Sequence, residues 1–337
     1  MEHKTRIKGN VHYVGVNDRN KHRFEGMWPL PYGVSYNSYL IDDEMVALVD
    51  TVDICYFEVY LRKIKQVIGE RPINYLIINH MEPDHSGSIR LIKQHYPGII
   101  IVGNKQTFGM IEGFYGVTGE QYLVKEGDFL ALGHHKLRFY MTPMVHWPET
   151  MMTFDETDGV LFSGDGFGCF GTVDGGFLDT RINVDKYWGE MVRYYSNIVG
   201  KYGSPVQKAL QKLGGLPISA ICSTHGPVWT ENIAKVIGIY DRLSRYDADE
   251  GVVIAYGSMY GNTEQMAEAI AEELSAQGVK NIVMHNVTKS HPSYIIADIF
   301  RYKGLIIGSP TYSNQIFPEV EALLSKILLR EVKGRYL

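Results

Sequence analysis

The stretch Ile78-Asn79-His80-Met81-Glu82-Pro83-Asp84-His85-Ser86-Gly87 decides how this chain is read. Four side chains able to hold a metal, His80, Glu82, Asp84 and His85, fall within six residues, directly after the apolar run Tyr75-Leu76-Ile77-Ile78. An H-x-E-x-D-H pattern at the end of a strand is hard to reconcile with an ordinary surface loop. Two of the four donors are carboxylates, so anionic oxygen is as prominent as nitrogen. Such a set favours iron over zinc, and therefore redox chemistry over hydrolysis.

Outward from the motif, Ile73-Ile78 is nearly all apolar, as in a strand buried on both faces of a sheet. Upstream, Val11-Val14, Ser38-Ile41 and Met45-Val49 read as short strands with a turn at Asp42-Asp43, and Tyr56 to Ile68 as a helix. Downstream, Ser88-His95 and Lys105-Phe114 read as helices, Ile99-Val102 as a strand, and further strands recur to Leu161. Three more candidate ligands stand in loop contexts: His146 in Met144-Val145-His146-Trp147-Pro148, Asp165 in Phe162-Ser163-Gly164-Asp165-Gly166, and His225 in Ser223-Thr224-His225-Gly226-Pro227. His134 and His135, beside Lys136 in a turn, and His95, on a helix surface, are set aside. Cys169 and Cys222 read as small buried residues.

With glutamate where a second histidine would stand, the motif resembles the H-x-H-x-D-H signature of the metallo-β-lactamase fold. That resemblance implies an αββα sandwich with the ligands in loops. It groups His80, Glu82 and His146 on one metal and Asp84, His85 and His225 on a second, with Asp165 between them. Asp165 suits the bridge because a carboxylate can share its two oxygens between ions, which an imidazole cannot. His85 is the ligand able to swing away and leave water on its metal.

The chain changes character after Tyr246-Asp247-Ala248-Asp249-Glu250-Gly251, a polar, turn-prone run at which a domain boundary is placed, giving 1–249 and 250–337. Strand Val252-Tyr256, helix Thr263-Gln277 closed by Gly278, strand Ile282-Val287, helix Tyr294-Arg301 and strand Leu305-Gly308 alternate, which predicts a parallel doubly wound sheet. Two loops follow strands of this unit. Gly257-Ser258-Met259-Tyr260-Gly261-Asn262-Thr263 opens a helix with hydroxyl, amide and glycine groups and no lysine, a neutral cradle for a phosphate such as that of FMN. Gly308-Ser309-Pro310-Thr311-Tyr312-Ser313-Asn314 offers Tyr312 for stacking on a flavin ring, at the strand ends where open α/β sheets bind ligands.

Together these constellations resemble the flavodiiron proteins, a metallo-β-lactamase-like domain followed by a flavodoxin-like one, over essentially the whole chain. The resemblance implies FMN feeding a non-haem, oxo- or hydroxo-bridged di-iron site that reduces dioxygen to water, nitric oxide to nitrous oxide, or both. It implies a head-to-tail homodimer or a tetramer, and a donor such as rubredoxin, a reduced deazaflavin or a nicotinamide-linked reductase. Tyr195, or its neighbour Tyr194, matches a family tyrosine near the irons. The chain departs from the family in reading Tyr312-Ser313-Asn314 where P-T-Y-N is usual. It also stops at Leu337, where a fourth flavodoxin strand would begin, so the C-terminal sheet is expected to be incomplete and FMN retention weak.

Composition bounds the remaining possibilities. At 337 residues, two domains are expected. A formal charge of −5 with no basic block excludes a nucleic-acid footprint. Met1-Glu2-His3-Lys4 has no apolar leader, and no apolar run approaches the ~20 residues that cross a bilayer. Three cysteines without C-x-x-C exclude a disulfide framework or a rubredoxin-type iron site within these residues and suit a reducing cytoplasm. The rival readings are a zinc-dependent hydrolase of the metallo-β-lactamase superfamily and an O₂ or NO sensor without turnover.

Overall fold

The computed structural model describes residues 5–337; the expectation resting on Met1-Lys4 lies outside them. A seven-stranded sheet runs in the order Arg6–Lys8, Val11–Tyr13, Tyr39–Ile41, Ala47–Val49, Tyr75–Ile77, Ile100–Gly103, Gln121–Leu123. A five-stranded sheet runs Phe129–Ala131, Lys136–Met141, Met151–Asp155, Val160–Gly164, Ala220–Ser223.

The alternation of strand side chains explains how the layers stack. Tyr39, Ile41, Ala47, Val49 and Ile77 of the first sheet share one core with Leu137, Phe139, Met151, Val160 and Phe162 of the second. The intervening residues Leu40, Leu48 and Leu76 face the helices Phe57–Ile68, Ile89–His95 and Lys105–Tyr115; Phe154, Leu161 and Ile221 face Asp185–Tyr194, Gly203–Leu213 and Ile233–Ser244. The result is the αββα sandwich expected from the sequence.

A third sheet follows, all parallel, in the order Ile282–Asn286, Asp249–Tyr256, Tyr302–Gly308, accompanied by helices Asn262–Ala276, Pro292–Arg301 and Pro318–Leu328. Its first strand begins at Asp249, inside the run read as turn. Polarity misled there because those residues are tied from outside: Asp249 pairs with Arg242 at 2.5 Å, and the register shifts between Asp249 and Val252. Among the described residues no helix is long and apolar enough to cross a membrane.

One buried charge pair makes this fold pH-sensitive away from any site. His135 Nδ1 lies 2.9 Å from Asp155 Oδ2, locking the turn between Phe129–Ala131 and Lys136–Met141 against the end of Met151–Asp155. Burial works to lower the imidazole pKa, but the bond to Asp155 and the charges of Asp155, Asp158 and Asp43 prevail and raise it. The stability this adds is full below the unfolded value of about 6.5 and fades as pH rises through the higher folded value. The melting-temperature gap between wild type and His135→Asn is therefore expected to narrow from acid to alkaline pH. A gap independent of pH would assign the contribution to packing instead.

Candidate metal centre

The ligand-type residues sit where strands end. His80, Glu82, Asp84 and His85 follow Tyr75–Ile77; Glu82 precedes a one-turn helix, Pro83–Ser86, with proline in the first turn, where its missing N–H costs nothing. His146 lies between Lys136–Met141 and Met151–Asp155. Asp165 and His225 come just after the neighbouring parallel strands Val160–Gly164 and Ala220–Ser223, whose ends pair at Gly164 and Ser223. All seven side chains are buried.

They converge on Asp165, one oxygen to each side. Its Oδ2 is 3.0 Å from His146 Nε2 and 3.7 Å from His80 Nε2, and His146 Nε2 is 3.1 Å from Glu82 Oε2. Its Oδ1 is 3.1 Å from His85 Nε2 and 3.6 Å from His225 Nε2; Asp84 closes this second group at 3.6 Å from His85 and 3.3 Å from His225. His85 is thus turned inward.

Several of these atoms make no hydrogen bond, although opposite charges stand close by: both carboxylate oxygens of Asp84, both nitrogens of His85 and Nε2 of His225. Buried polar atoms left so are costly unless something else satisfies them. A pair of cations fits that requirement. His135, by contrast, is closed on Asp155 and leaves no such atom, although Asp158 stands near enough to complete a third group of donors.

The charges tell the same story. Burial would raise the Asp165 pKa, yet His85, His146 and His80 hold it well below the usual carboxylate range. Burial would lower that of His85, yet Asp84 and Asp165 raise it to about 10. Without metal, these carboxylates keep protons on the imidazoles; a bound cation takes their place and releases them.

Sequence reasoning missed the residues that aim the ligands. Glu149 Oε1 accepts from His80 Nδ1 at 2.7 Å and from the Met81 N–H at 2.9 Å. The Ser35 carbonyl accepts from His225 Nδ1 at 2.7 Å, and the Thr224 hydroxyl donates to Asp165 Oδ1. Both imidazoles are thereby fixed with Nε2 inward. Glu149 left a faint signal, an acid three residues after His146; Ser35 left none.

Of the tyrosine pair, the structure brings Tyr194 and not Tyr195 to the centre. Tyr194 lies 5.8 Å from the His225 ring and packs on Phe170 and Phe24, its buried hydroxyl unpartnered. Tyr195 faces Tyr240 and Phe300. Tyr194 is the last residue of the helix Asp185–Tyr194 and shares its buried face with Tyr187 and Met191, whereas Tyr195 opens the π-helical turn Tyr195–Val199 and points elsewhere.

In the third sheet, the strands preceding the two flavin-type loops are neighbours, with Tyr256 opposite Gly308, so the loops leave from adjacent points. In the first loop, Ser258 Oγ accepts the Gly261 N–H at 3.1 Å. Gly261, at φ +89°, opens the helix Asn262–Ala276 without a side-chain cap, which leaves first-turn N–H groups available to a phosphate. Asn262 and Thr263 occupy that first turn, and Met259 and Tyr260 are exposed beside it. The second loop folds into a hairpin, Thr311–Tyr312 with Gln315–Ile316, following Ser309 and Pro310; Tyr312 is exposed. Ser313 and Asn314 both take positive φ, as a two-residue hairpin turn requires, which accounts for the polar pair at the departure from P-T-Y-N.

Comparison with known proteins matches residues 34–226 to the ODP family beta lactamase model and residues 254–333 to flavodoxin. The chain superposes on rubredoxin oxygen:oxidoreductase from Desulfovibrio gigas with a TM-score of 0.94 and 31% identity, over 98% of this chain and 83% of that one. This chain belongs to the flavodiiron protein family. The flavodiiron protein from Giardia intestinalis aligns with a TM-score of 0.93 and 28% identity, over 97% and 80%. The anaerobic nitric oxide reductase flavorubredoxin of Vibrio vulnificus is 33% identical over 327 residues, 95% of this chain; the chain spans 66% of that relative's length. The cofactors of the family are a di-iron centre and FMN, and the orphaned donors around Asp165 and the uncapped helix at Gly261 fit them.

Proposed function

We propose that this chain forms the di-iron and flavin core of an oxidoreductase that reduces dioxygen to water, nitric oxide to nitrous oxide, or both. The metal part runs to residue 249 and the flavin part from 250. The observation that carries the reading is the division of Asp165, with Oδ2 toward His146 and Oδ1 toward His85 at 3.0 and 3.1 Å. When bound, the two iron(II) ions would together supply two electrons and a reduced flavin two more, the four that O₂ requires, while two NO require only two.

The protein's own residues prepare that chemistry. His80, Glu82 and His146 would hold one metal, Asp84, His85 and His225 the other, and Asp165 both. Three carboxylates offset most of the charge of two divalent ions and favour the oxidised state. Phe24 and Tyr194 wall the His225 side with aromatic surface and exclude water. A cavity of about 480 Å³ reaches Glu82 and Asp84 from outside, lined by Lys21, Phe24, Glu25, Arg90, Phe114 and Tyr115, wide enough for a diatomic gas. Tyr194, kept neutral by burial and by the charge of Asp165, would take the role of the family tyrosine, its hydroxyl left without a hydrogen-bond partner beside the His225 ring.

For the flavin, Ser258, Met259, Tyr260, Gly261, Asn262 and Thr263 would hold the phosphate, and Ser309, Pro310, Thr311, Tyr312 and Asn314 the ring. Ile54 and Phe114, 53% and 51% exposed at the cavity mouth, give an apolar rim suited to a second copy in a head-to-tail dimer. A rubredoxin-type protein or a reductase would supply electrons. The three free cysteines suit a reducing cytoplasm.

Metal analysis followed by anaerobic stopped-flow mixing of the reduced, iron- and FMN-loaded protein with O₂ and with NO tests the proposal. Rapid flavin reoxidation with consumption of one or both gases is expected. Two zinc ions and no gas consumption would favour a hydrolase; reversible gas binding without consumption would favour a sensor.

A further inference from the structure

The hairpin formed by Arg23–Phe24 and Trp28–Pro29 faces the metal pocket on one side and the flavodoxin-like part on the other. Phe24 meets the His225 ring edge-on at 5.4 Å, and Glu25 lines the pocket mouth with Glu82 and Asp84. Glu25 (φ +49°) and Gly26 (φ +69°) are the central residues of the hairpin's turn, closed by the Met27 N–H on the Phe24 carbonyl at 2.9 Å, so the turn sets the Glu25 backbone and side-chain bonds set its carboxylate. The carboxylate is held by the buried Trp28, whose Nε1 donates to Glu25 Oε2 at 2.9 Å.

Trp28 is itself gripped from the second half of the chain. The Arg330 guanidinium, just past the helix Pro318–Leu328, lies over the Trp28 ring at 4.8 Å. Its Nη2 donates to the carbonyl of Asn197 at 3.0 Å, in the π-helical turn that follows Tyr194. Arg330 therefore holds both elements that wall the metal cluster, the hairpin with Phe24 and Glu25 and the helix with Tyr194. Burial and the charge of Glu82 raise the Glu25 pKa, against the Trp28 bond and the charges of His146 and Arg330.

We propose that Arg330 is a positioning residue for the metal pocket: through Trp28 it fixes the Glu25 carboxylate at the mouth, so that the flavodoxin-like part sets how readily an anion enters. The proposal rests on the di-iron reading above. Without Arg330, the Glu25 carboxylate is both freer and less neutralised, at a mouth that already holds Glu82 and Asp84.

Azide is the probe, titrated into the iron-loaded protein and followed by its absorption band with iron, without turnover. Arg330→Ala is expected to weaken azide binding about five-fold, the size of a cation–π contact of roughly 1 kcal/mol. Arg330→Lys, which keeps a cation over the ring, recovers most of it. In a Glu25→Gln background Arg330→Ala has no further effect, because the carboxylate through which it acts is neutral. Trp28→Phe keeps the ring and removes the N–H, and is expected to weaken azide binding even if Arg330→Ala fails to fold. Unchanged azide affinity in Arg330→Ala, or an equal loss with and without Glu25, overturns the proposal even where the melting temperature falls. An iron-loaded wild type with no azide band takes down the di-iron reading and the proposal with it.

Discussion

Asp165→Asn is expected to abolish the binuclear centre: the variant folds, binds roughly half the iron or less, and loses gas reduction by at least ~100-fold. The substitution keeps the shape of the side chain and changes only its charge and one donor atom. An amide cannot present two anionic oxygens, so one of the two groups that converge on Asp165 loses its shared ligand. In the wild type those groups stand at 3.0 Å from Oδ2 and 3.1 Å from Oδ1. The Thr224 hydroxyl still has an acceptor only if the amide oxygen faces it, which turns the NH₂ toward His146. Removing one carboxylate from a buried group also leaves the histidines facing fewer negative charges, so their protons are held less firmly without metal. Iron per chain by elemental analysis, with circular dichroism to confirm folding, checks the result. Full iron content with normal turnover would show that Asp165 is not the bridge.

The elements that build this centre were legible because each obeys a local rule. Tyr75–Ile77 is apolar on both faces and is followed at once by its ligands; Pro83 opens a short helix where proline is tolerated. The alternation from Val252 onward gave a parallel sheet, although its first strand starts three residues earlier at Asp249, and the two loops leave from adjacent strand ends. What stayed hidden depends on contacts distant in sequence. Nothing near Ser35 in the chain announces that its carbonyl orients His225. Tyr194, rather than Tyr195, stands against the cluster, a choice between neighbouring tyrosines that the motif resemblance left open and that only the packing on His225, Phe170 and Phe24 decides. Arg330 over Trp28 joins opposite ends of the chain and has no motif at all.

Glu82→His tests the residue that separates this motif from its histidine-rich relatives. The side chain faces His146 Nε2 at 3.1 Å, and the bonds from His146 and His80 hold its pKa below the usual carboxylate range against the cost of burial, which favours the anion. Replacing it with imidazole removes one negative charge from a centre whose other carboxylates are Asp84 and Asp165. The remaining two offset less of the charge of two divalent ions, and the oxidised state is stabilised less. A nitrogen donor at the same place also suits zinc, which prefers such sets and has no redox chemistry. From medium supplying both metals, the zinc-to-iron ratio is expected to rise on the order of tenfold or more, about 1.4 kcal/mol of altered preference. Gas reduction falls with the iron-loaded fraction, and further for the iron that remains, because its higher oxidation state is less favoured. Elemental analysis of the purified variant and its turnover per iron separate these two effects. If the ratio stays at the wild-type value and turnover per iron is preserved, Glu82 does not select the metal, and selectivity lies with the bridging carboxylate and the supply of iron during folding.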